Sequence, residues 1–213
     1  MSDNYAEIWN KLHKSFIANA RVQYDAWLDE FEGIIEAVTT DIIDLGCGVT
    51  GNNTFYLLDK GKGVISCDFA EEALKVIAEH EGTKTKLFNM LDKFPFEDNV
   101  AEVVIADLSL HYFRKEDTER IISEIKRVLK SNGHLFFRVN STSSTEYKTL
   151  LSSGAEPIEP HLYFANNMEK RFFSLDDIDK FFADWNFIAK REENMTRWSS
   201  DKIVWTGVVQ VNK

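Results

Sequence analysis

Cysteine is scarce in this chain: Cys47 and Cys67 are the only two in 213 residues. Two thiols make neither a disulfide scaffold nor a zinc site, and they suit a reducing cytoplasm. Long apolar runs are missing as well. Nothing approaches the roughly 18 residues that mark a membrane span. The opening MSDNYAEIWNK has no apolar signal core, so a cytoplasmic protein without a membrane partner is expected. Basic charge is also short. Lys and Arg number 25 against 35 Asp and Glu, a formal net charge of −10. Such a chain repels phosphate backbones, and a long nucleic-acid partner is not expected. No repeat, low-complexity tract or clear domain boundary breaks the sequence.

What is present fits one large globular domain. Hydrophobic residues make up 44% and charged residues 28%, enough apolar mass for a substantial core. The chain is organised around Thr40 to Phe55, TDIIDLGCGVTGNNTF. A short apolar run, Ile42-Ile43, leads into Asp44-Leu45. Gly46, Gly48 and Gly51 follow, and Thr54 to Asp59 continues as a helix. Strand, glycine turn and helix open a nucleotide-binding βαβ unit, in which the ligand approaches backbone that carries no Cβ.

On either side the pattern alternates. From Ile8 to Val38 apolar residues recur at helical spacing, including positions 16 and 20, with Gly33 a candidate break. These helices either pack on the sheet or cover the nucleotide site. Val64 to Cys67 reads as a second strand ending in Asp68-Phe69, and Ala70 to Glu79 as a helix. Lys84 to Met90 and Val100 to Asp107 are the third and fourth strands. The fourth is almost continuously apolar, which suits a strand covered on both faces. Glu116 to Lys130 is helical, with Asn132-Gly133 as its C-cap signal. His134 to Val139 is a fifth strand. Ser174 to Trp185 is a helix capped by Ser174, and Phe187 to Arg191 and Ile203 to Val211 can pair as a hairpin. The alternation predicts an α/β fold with a mostly parallel sheet and helices on both faces. Ser141 to Asn167, rich in Ser and Thr and carrying Pro157 and Pro160, reads as a long excursion near the carboxyl ends of the strands.

The spacing from Gly48 to Asp68 places an acid where ribose hydroxyls are accepted. A nicotinamide dinucleotide and S-adenosylmethionine both offer that ribose. Three features favour the second: Asp44 two residues before the glycines, the segment NMLDKFPF after the third strand, and DLSLHYF at the end of the fourth. Taken in order, IIDLGCG, ISCDFAEEAL, FNMLDKFPFEDNVAEVVIADLSLHYF and EIKRVLKSNGHLFFRV resemble the motifs of class I S-adenosylmethionine-dependent methyltransferases, from about Asp41 to Val139. The family commonly has GxGxG. Here Thr50 stands at the fifth position and Gly51 comes one later.

The resemblance implies a doubly wound, Rossmann-like, seven-stranded sheet whose last strand is antiparallel. It implies one domain: a helical cap over 1–38, a cofactor-binding core over 41–140, and a substrate-side excursion with a C-terminal helix and hairpin over 141–213. It implies S-adenosylmethionine as cofactor, with S-adenosylhomocysteine as product, and methyl transfer to a small molecule by in-line displacement. Its cofactor residues would be Asp44, Gly46, Cys47, Gly48, Asp68, Phe69, Asn89, Met90, Leu91, Asp107 and Leu108. Asp68 would accept from the ribose. Asn89, or Asp92 with the loop shifted, would meet the adenine amino group. Met90 and Leu91 would flank the ring. His111 is the candidate general base, although a structural or substrate-shaping role is the simpler reading. Arg138, Glu156, Glu159, His161 and Tyr163 are pocket candidates for which surface exposure is the simpler reading. No metal is called for. The rival readings are a tRNA or protein methyltransferase of the same fold, an NAD-dependent oxidoreductase, and a silent nucleotide-binding protein.

Overall fold

A computed structural model describes residues 3–17, 22–165, 167–197 and 201–213. Helix α1 (Asp3–Ile17) is followed by irregular chain, a short 3-10 turn and α2 (Glu32–Ala37). Strand β1 (Ile42–Leu45) leads through the glycine turn into α3 (Asn52–Asp59). Then come β2 (Val64–Asp68), α4 (Glu71–Ala78), β3 (Lys84–Leu87), β4 (Ala101–Asp107), α5 (Lys115–Val128) and β5 (Leu129–Asn140). The excursion holds α6 (Thr145–Ser152) and a small hairpin, β6 (Leu162–Ala165) and β7 (Met168–Arg171). Helix α7 (Leu175–Phe181), β8 (Trp185–Asn194) and β9 (Ile203–Val211) complete the chain.

The main sheet has the order β3-β2-β1-β4-β5-β9-β8. Neighbours from β3 to β5 run parallel, and β9 is antiparallel to both β5 and β8. The expected seven strands with an antiparallel last strand are therefore present. Adjacent residues of one strand feed opposite faces, because side chains alternate across a sheet. Ile43, Val104 and Phe137 join one core with Ile121, Ile125 and Phe182, while Ile42, Val103 and Phe136 join another with Trp27, Phe31 and Leu57. Strand order reverses between β1 and β4, so a crevice opens at their carboxyl ends, where doubly wound sheets hold ligands.

Local differences from the sequence reading have physical causes. Gly33 does not break a helix; it lies inside α2. The helical period fails instead between α1 and the 3-10 turn, where tertiary bonds take over. Gln23 N donates to Asn52 Oδ1 at 2.6 Å, Asp25 pairs with Arg138, and Ala26 turns at φ +58°. Ala20 and the Phe16 side chain, both counted in the apolar stripe, lie outside the described residues. Asn132-Gly133 does not cap α5, which stops at Val128 as Leu129 turns extended and pairs with Ala101. Asn132, at φ +61°, instead serves the register shift in the β4–β5 ladder. The third strand ends at Leu87. Ser174 caps α7 with a full capping box, Asp177 answering from the third position.

Candidate active site

The loops after β1 and β4 touch. Gly46 has φ +71°, and a Cβ on it would meet Ser109 Cβ at 2.5 Å, so no other residue fits there without displacing the β4 loop. The N–H groups of Gly46 and Cys47 both donate to Cys67 O, at 2.7 and 3.0 Å, tying the turn to β2. Asp68, the last residue of β2, accepts from Gly48 N at 3.0 Å and from Ala70 N at 2.9 Å. Burial pushes its carboxyl up, against the two N–H groups and the nearby His13.

Around this frame lies a cleft with two lobes that share Trp9, His13, Gly46, Gly48, Leu108 and Tyr112. The first lobe is mostly apolar, with Phe69, Phe88, Met90 and Phe113 on its walls and Asp68, Asn89 and Ser109 as polar points. The second lobe is polar. Gln23, Thr50, Asn52, Asn53, Asp107, Arg197 and Lys202 line it, beside Cys47 and Val49. Nine of the twelve residues expected at the site thus line the cleft. Asp44, Leu91 and His111 line neither lobe, and the alternative Asp92 is exposed.

Asp44 is buried behind the turn. Thr54 donates to its Oδ2 at 2.8 Å, and Oδ1 meets no hydrogen-bond partner among the described residues. Burial, with Asp107 and Asp68 adding repulsion, pushes its pKa up to about 7. Asn89 Oδ1 accepts from Leu91 N at 3.0 Å, so its carbonyl already closes its own loop.

Asp107 sits in a buried ionic network. Arg138 donates to it through Nε at 2.7 Å and through a terminal nitrogen at 2.8 Å, and Arg197 donates at 2.8 Å. Asp25 accepts from the other Arg138 nitrogen at 2.7 Å, and the Trp27 ring lies 4.4 Å from the guanidinium. Burial pushes Asp107 up, but Arg138 and then Arg197 outweigh it and hold the carboxyl well below the usual range. Arg138 is therefore a core residue, 1% exposed, and not on the surface. Tyr163 is also buried, Glu159 pairs with Arg171, and His161 pairs with Asp177 at 2.7 Å.

Several lining residues carried little signal. Trp9, Leu12 and His13 come from α1, and so of the two alternatives for the N-terminal helices, packing on the sheet or covering the site, α1 takes the second. Arg197 and Lys202 had no signal. They sit between β8 and β9, and reach the cleft because β8 runs parallel to β5 and ends at the same edge of the sheet.

Comparison with known proteins agrees with this frame. Residues 43–137 match the family described as a methyltransferase domain. A likeness in fold runs to a SAM-dependent methyltransferase from Methanosarcina mazei, with TM-score 0.71, 19% identity, and coverage of 81% of this chain and 92% of that one. Residues 43–137 thus carry methyltransferase-domain sequence on a fold shared with a SAM-dependent methyltransferase. A second structure of this fold is the Burkholderia thailandensis 1,6-didemethyltoxoflavin-N1-methyltransferase with bound 1,6-didemethyltoxoflavin and S-adenosylhomocysteine. Its TM-score is 0.67 at 14% identity, over 100% of this chain and 91% of that one. Among sequence relatives, an uncharacterised methyltransferase of Mycobacterium tuberculosis is 28% identical over 107 residues, 50% of this chain and 42% of its own length. A tRNA N(3)-methylcytidine methyltransferase of Schizosaccharomyces pombe is 29% identical over 147 residues, 60% of this chain and 57% of its own length. The chain spans about two fifths to three fifths of the length of these relatives.

His111 follows β4, with both ring nitrogens buried and without a hydrogen-bond partner among the described residues, its ring 4.3 Å from that of Tyr112. Burial, with Lys202 and Lys170 nearby, holds its pKa well below the ordinary value. The imidazole is therefore neutral at pH 7. Below pH ~6.5 the unfolded chain binds a proton that the folded chain refuses, so stability falls as pH drops through that value. Wild-type protein should lose up to about 1.4 kcal/mol per pH unit from this residue. His111→Leu should flatten the slope, as read from urea midpoints between pH 5.5 and 8. An identical slope in both proteins would show that His111 is protonated in the fold.

Proposed function

We propose that this chain transfers the methyl group of S-adenosylmethionine to a small-molecule acceptor. The observation that carries the reading is the joined pair of lobes: an apolar one ending on the Asp68 carboxylate, and a polar one at the glycine turn, meeting at Leu108 and Tyr112.

The residues fit the donor. After accepting from Gly48 and Ala70, the Asp68 carboxylate keeps lone pairs for two vicinal hydroxyls. Phe69, Phe88, Met90 and Leu108 offer apolar walls to a purine. His13 Nδ1 and Ser109 Oγ, on residues lining the lobe, are buried without a hydrogen-bond partner among the described residues, as groups awaiting a ligand are. When bound, S-adenosylmethionine supplies a methyl group on a cationic sulfur, already activated toward a nucleophile. The protein must align the acceptor and keep water out. Trp9 and Tyr112 meet edge to face at 5.2 Å where the lobes join, and narrow the junction. Asp107 holds no proton and its oxygens are filled by donors, so it fixes Arg197 in place and takes no proton from an acceptor.

The fission-yeast relative favours a second reading, methylation of tRNA. The net charge of −10 weighs against it, since a tRNA backbone is held by cations. Calorimetry tests the donor: S-adenosylhomocysteine should bind and NAD should not, and the reverse result would hand the cleft to an oxidoreductase. Filter binding with bulk tRNA tests the acceptor, and salt-sensitive retention would favour the second reading.

A further inference from the structure

We infer that His13, carried into the cleft by α1, is a donor-binding residue: its imidazole hydrogen-bonds a ribose hydroxyl beside Asp68 and so fastens α1 over the bound donor. The inference rests on the proposed methyl transfer and adds a residue to its donor site.

An amphipathic helix ordinarily buries its apolar side chains. Helix α1 does the reverse. Ile8, Trp9 and Leu12 stay partly exposed, and His13, at 7% exposure, is the buried side chain among those described on the helix. Its Nδ1 meets no hydrogen-bond partner among the described residues. Burying an unpaired polar atom costs free energy, and a leucine at this place would fill space without that cost. The imidazole is held on two sides. Its centroid lies 5.4 Å from that of Trp9, with the planes 31° apart, and its Cε1 lies 3.9 Å from where a Cβ on Gly48 would stand. It lines both lobes of the cleft. A nitrogen that is buried, unpaired and carried on the cleft wall is a group that a ligand completes.

Position selects the ribose. Gly48, which the ring borders, donates its N–H to Asp68 Oδ2 at 3.0 Å, so the imidazole and the carboxylate meet the same stretch of backbone. An ionised carboxylate only accepts. Each ribose hydroxyl would therefore spend its single proton on Asp68 and keep its lone pairs. His13, protonated on Nδ1, donates to one of these lone pairs. The diol is then held from two elements, β2 below and α1 above. Besides the Trp9 ring against Val49, Ala70 and Ala73, polar ties hold α1. Asn10 Oδ1 accepts from Glu72 N at 3.1 Å, Lys14 pairs with Glu72 at 3.4 Å, and the Tyr5 hydroxyl accepts from Glu169 N at 3.1 Å. A helix of 15 residues is marginal without tertiary packing, so a bond to the donor adds to its seating.

The test is calorimetry of S-adenosylhomocysteine binding to wild type, His13→Phe and His13→Asn. Phenylalanine keeps a ring against Trp9 and has no nitrogen, whereas asparagine brings an amide N–H close to the place of Nδ1. His13→Phe should bind about tenfold more weakly, as the loss of one hydrogen bond allows, and His13→Asn should recover most of that loss. 5′-Methylthioadenosine keeps the ribose and lacks the amino-acid end, so His13→Phe should weaken it to a similar degree. With either the 2′-deoxy or the 3′-deoxy form of S-adenosylhomocysteine, wild type and His13→Phe should bind alike, because the bond is already absent; the hydroxyl's bond to Asp68 is lost equally in both proteins. The Tm of ligand-free protein should not fall in His13→Phe, since nothing is bonded to the nitrogen before the donor arrives. A lower ligand-free Tm with unchanged affinity would make His13 a packing residue and overturn the inference. So would a loss that persists with both deoxy ligands, or one seen with S-adenosylhomocysteine and absent with 5′-methylthioadenosine, which would give His13 to the amino-acid end. Imidazole nitrogen-15 spectra of wild-type protein need no variant: saturation with S-adenosylhomocysteine should fix His13 as the tautomer protonated on Nδ1, and an unchanged signal overturns the inference. Binding that ignores His13 removes this inference alone. If wild-type protein binds no S-adenosylhomocysteine, the methyl-transfer reading falls and takes this one with it.

Discussion

Asp68→Ala should weaken S-adenosylhomocysteine binding by about 2–4 kcal/mol, which is roughly 30- to 1,000-fold in dissociation constant. The carboxylate lies on the apolar lobe and is held in place by Gly48 and Ala70, so it would meet two hydroxyls of the proposed donor without reorganising. Each charge-assisted bond contributes roughly 1.5–3 kcal/mol, and the pair is not additive. Asp68→Asn keeps an oxygen that can accept but loses the charge, and its loss should fall between wild type and Asp68→Ala. Calorimetry on the three proteins reads the series. Unchanged affinity in a folded Asp68→Ala protein would remove Asp68 from the site.

The other large effect concerns stability. Arg138→Ala leaves Asp107 and Asp25 in the interior without their principal cation, and the loss should be about 3–5 kcal/mol. In a chain of 213 residues this is a fall of about 6–20 °C in Tm by calorimetric scan. The pH dependence has a definite sign. The folded pKa of Asp107 is depressed, so its contribution is present above the unfolded pKa near 3.9 and is lost as pH falls through the folded value. Arg138→Ala should therefore be most damaging at neutral pH and least damaging in acid. Arg138→Met, which restores packing without charge, should recover little, because the two carboxylates remain. A variant with wild-type Tm at pH 7 would show that the network contributes nothing.

Much of the fold was legible because its strands are short apolar runs at regular intervals, and burial on both faces enforces that pattern on β1, β4 and β5. The position of Asp68 beside the glycine turn was legible for a similar reason: its distance from Gly48 is set by one strand–helix–strand unit, which varies little in length. The ionic network was hidden. Arg138 lies in an apolar run, where a single charge suggests exposure, and its partner Asp25 is 113 residues away. Nothing local marks two carboxylates and two guanidinium groups as mutual company. Gly33 and Asn132-Gly133 misled for the opposite reason, since they carry strong local signals that tertiary pairing overruled. Arg197 and Lys202 reach the cleft only through the direction of β8, a property of the assembled sheet.

The place of β9 also bears on how the molecule is made. It comes last in chain order among the seven strands of the sheet, yet it lies between β5 and β8 and pairs with both. Until it emerges from the ribosome, β5 is an edge whose apolar Phe136 and Phe137 have no neighbour on that side. Nascent chains stalled before Ile203 would expose this edge, and chaperones that hold apolar strands would find it there. The sheet thus closes in one event that waits for β9, and Lys202, the residue before that strand, comes to the cleft with it.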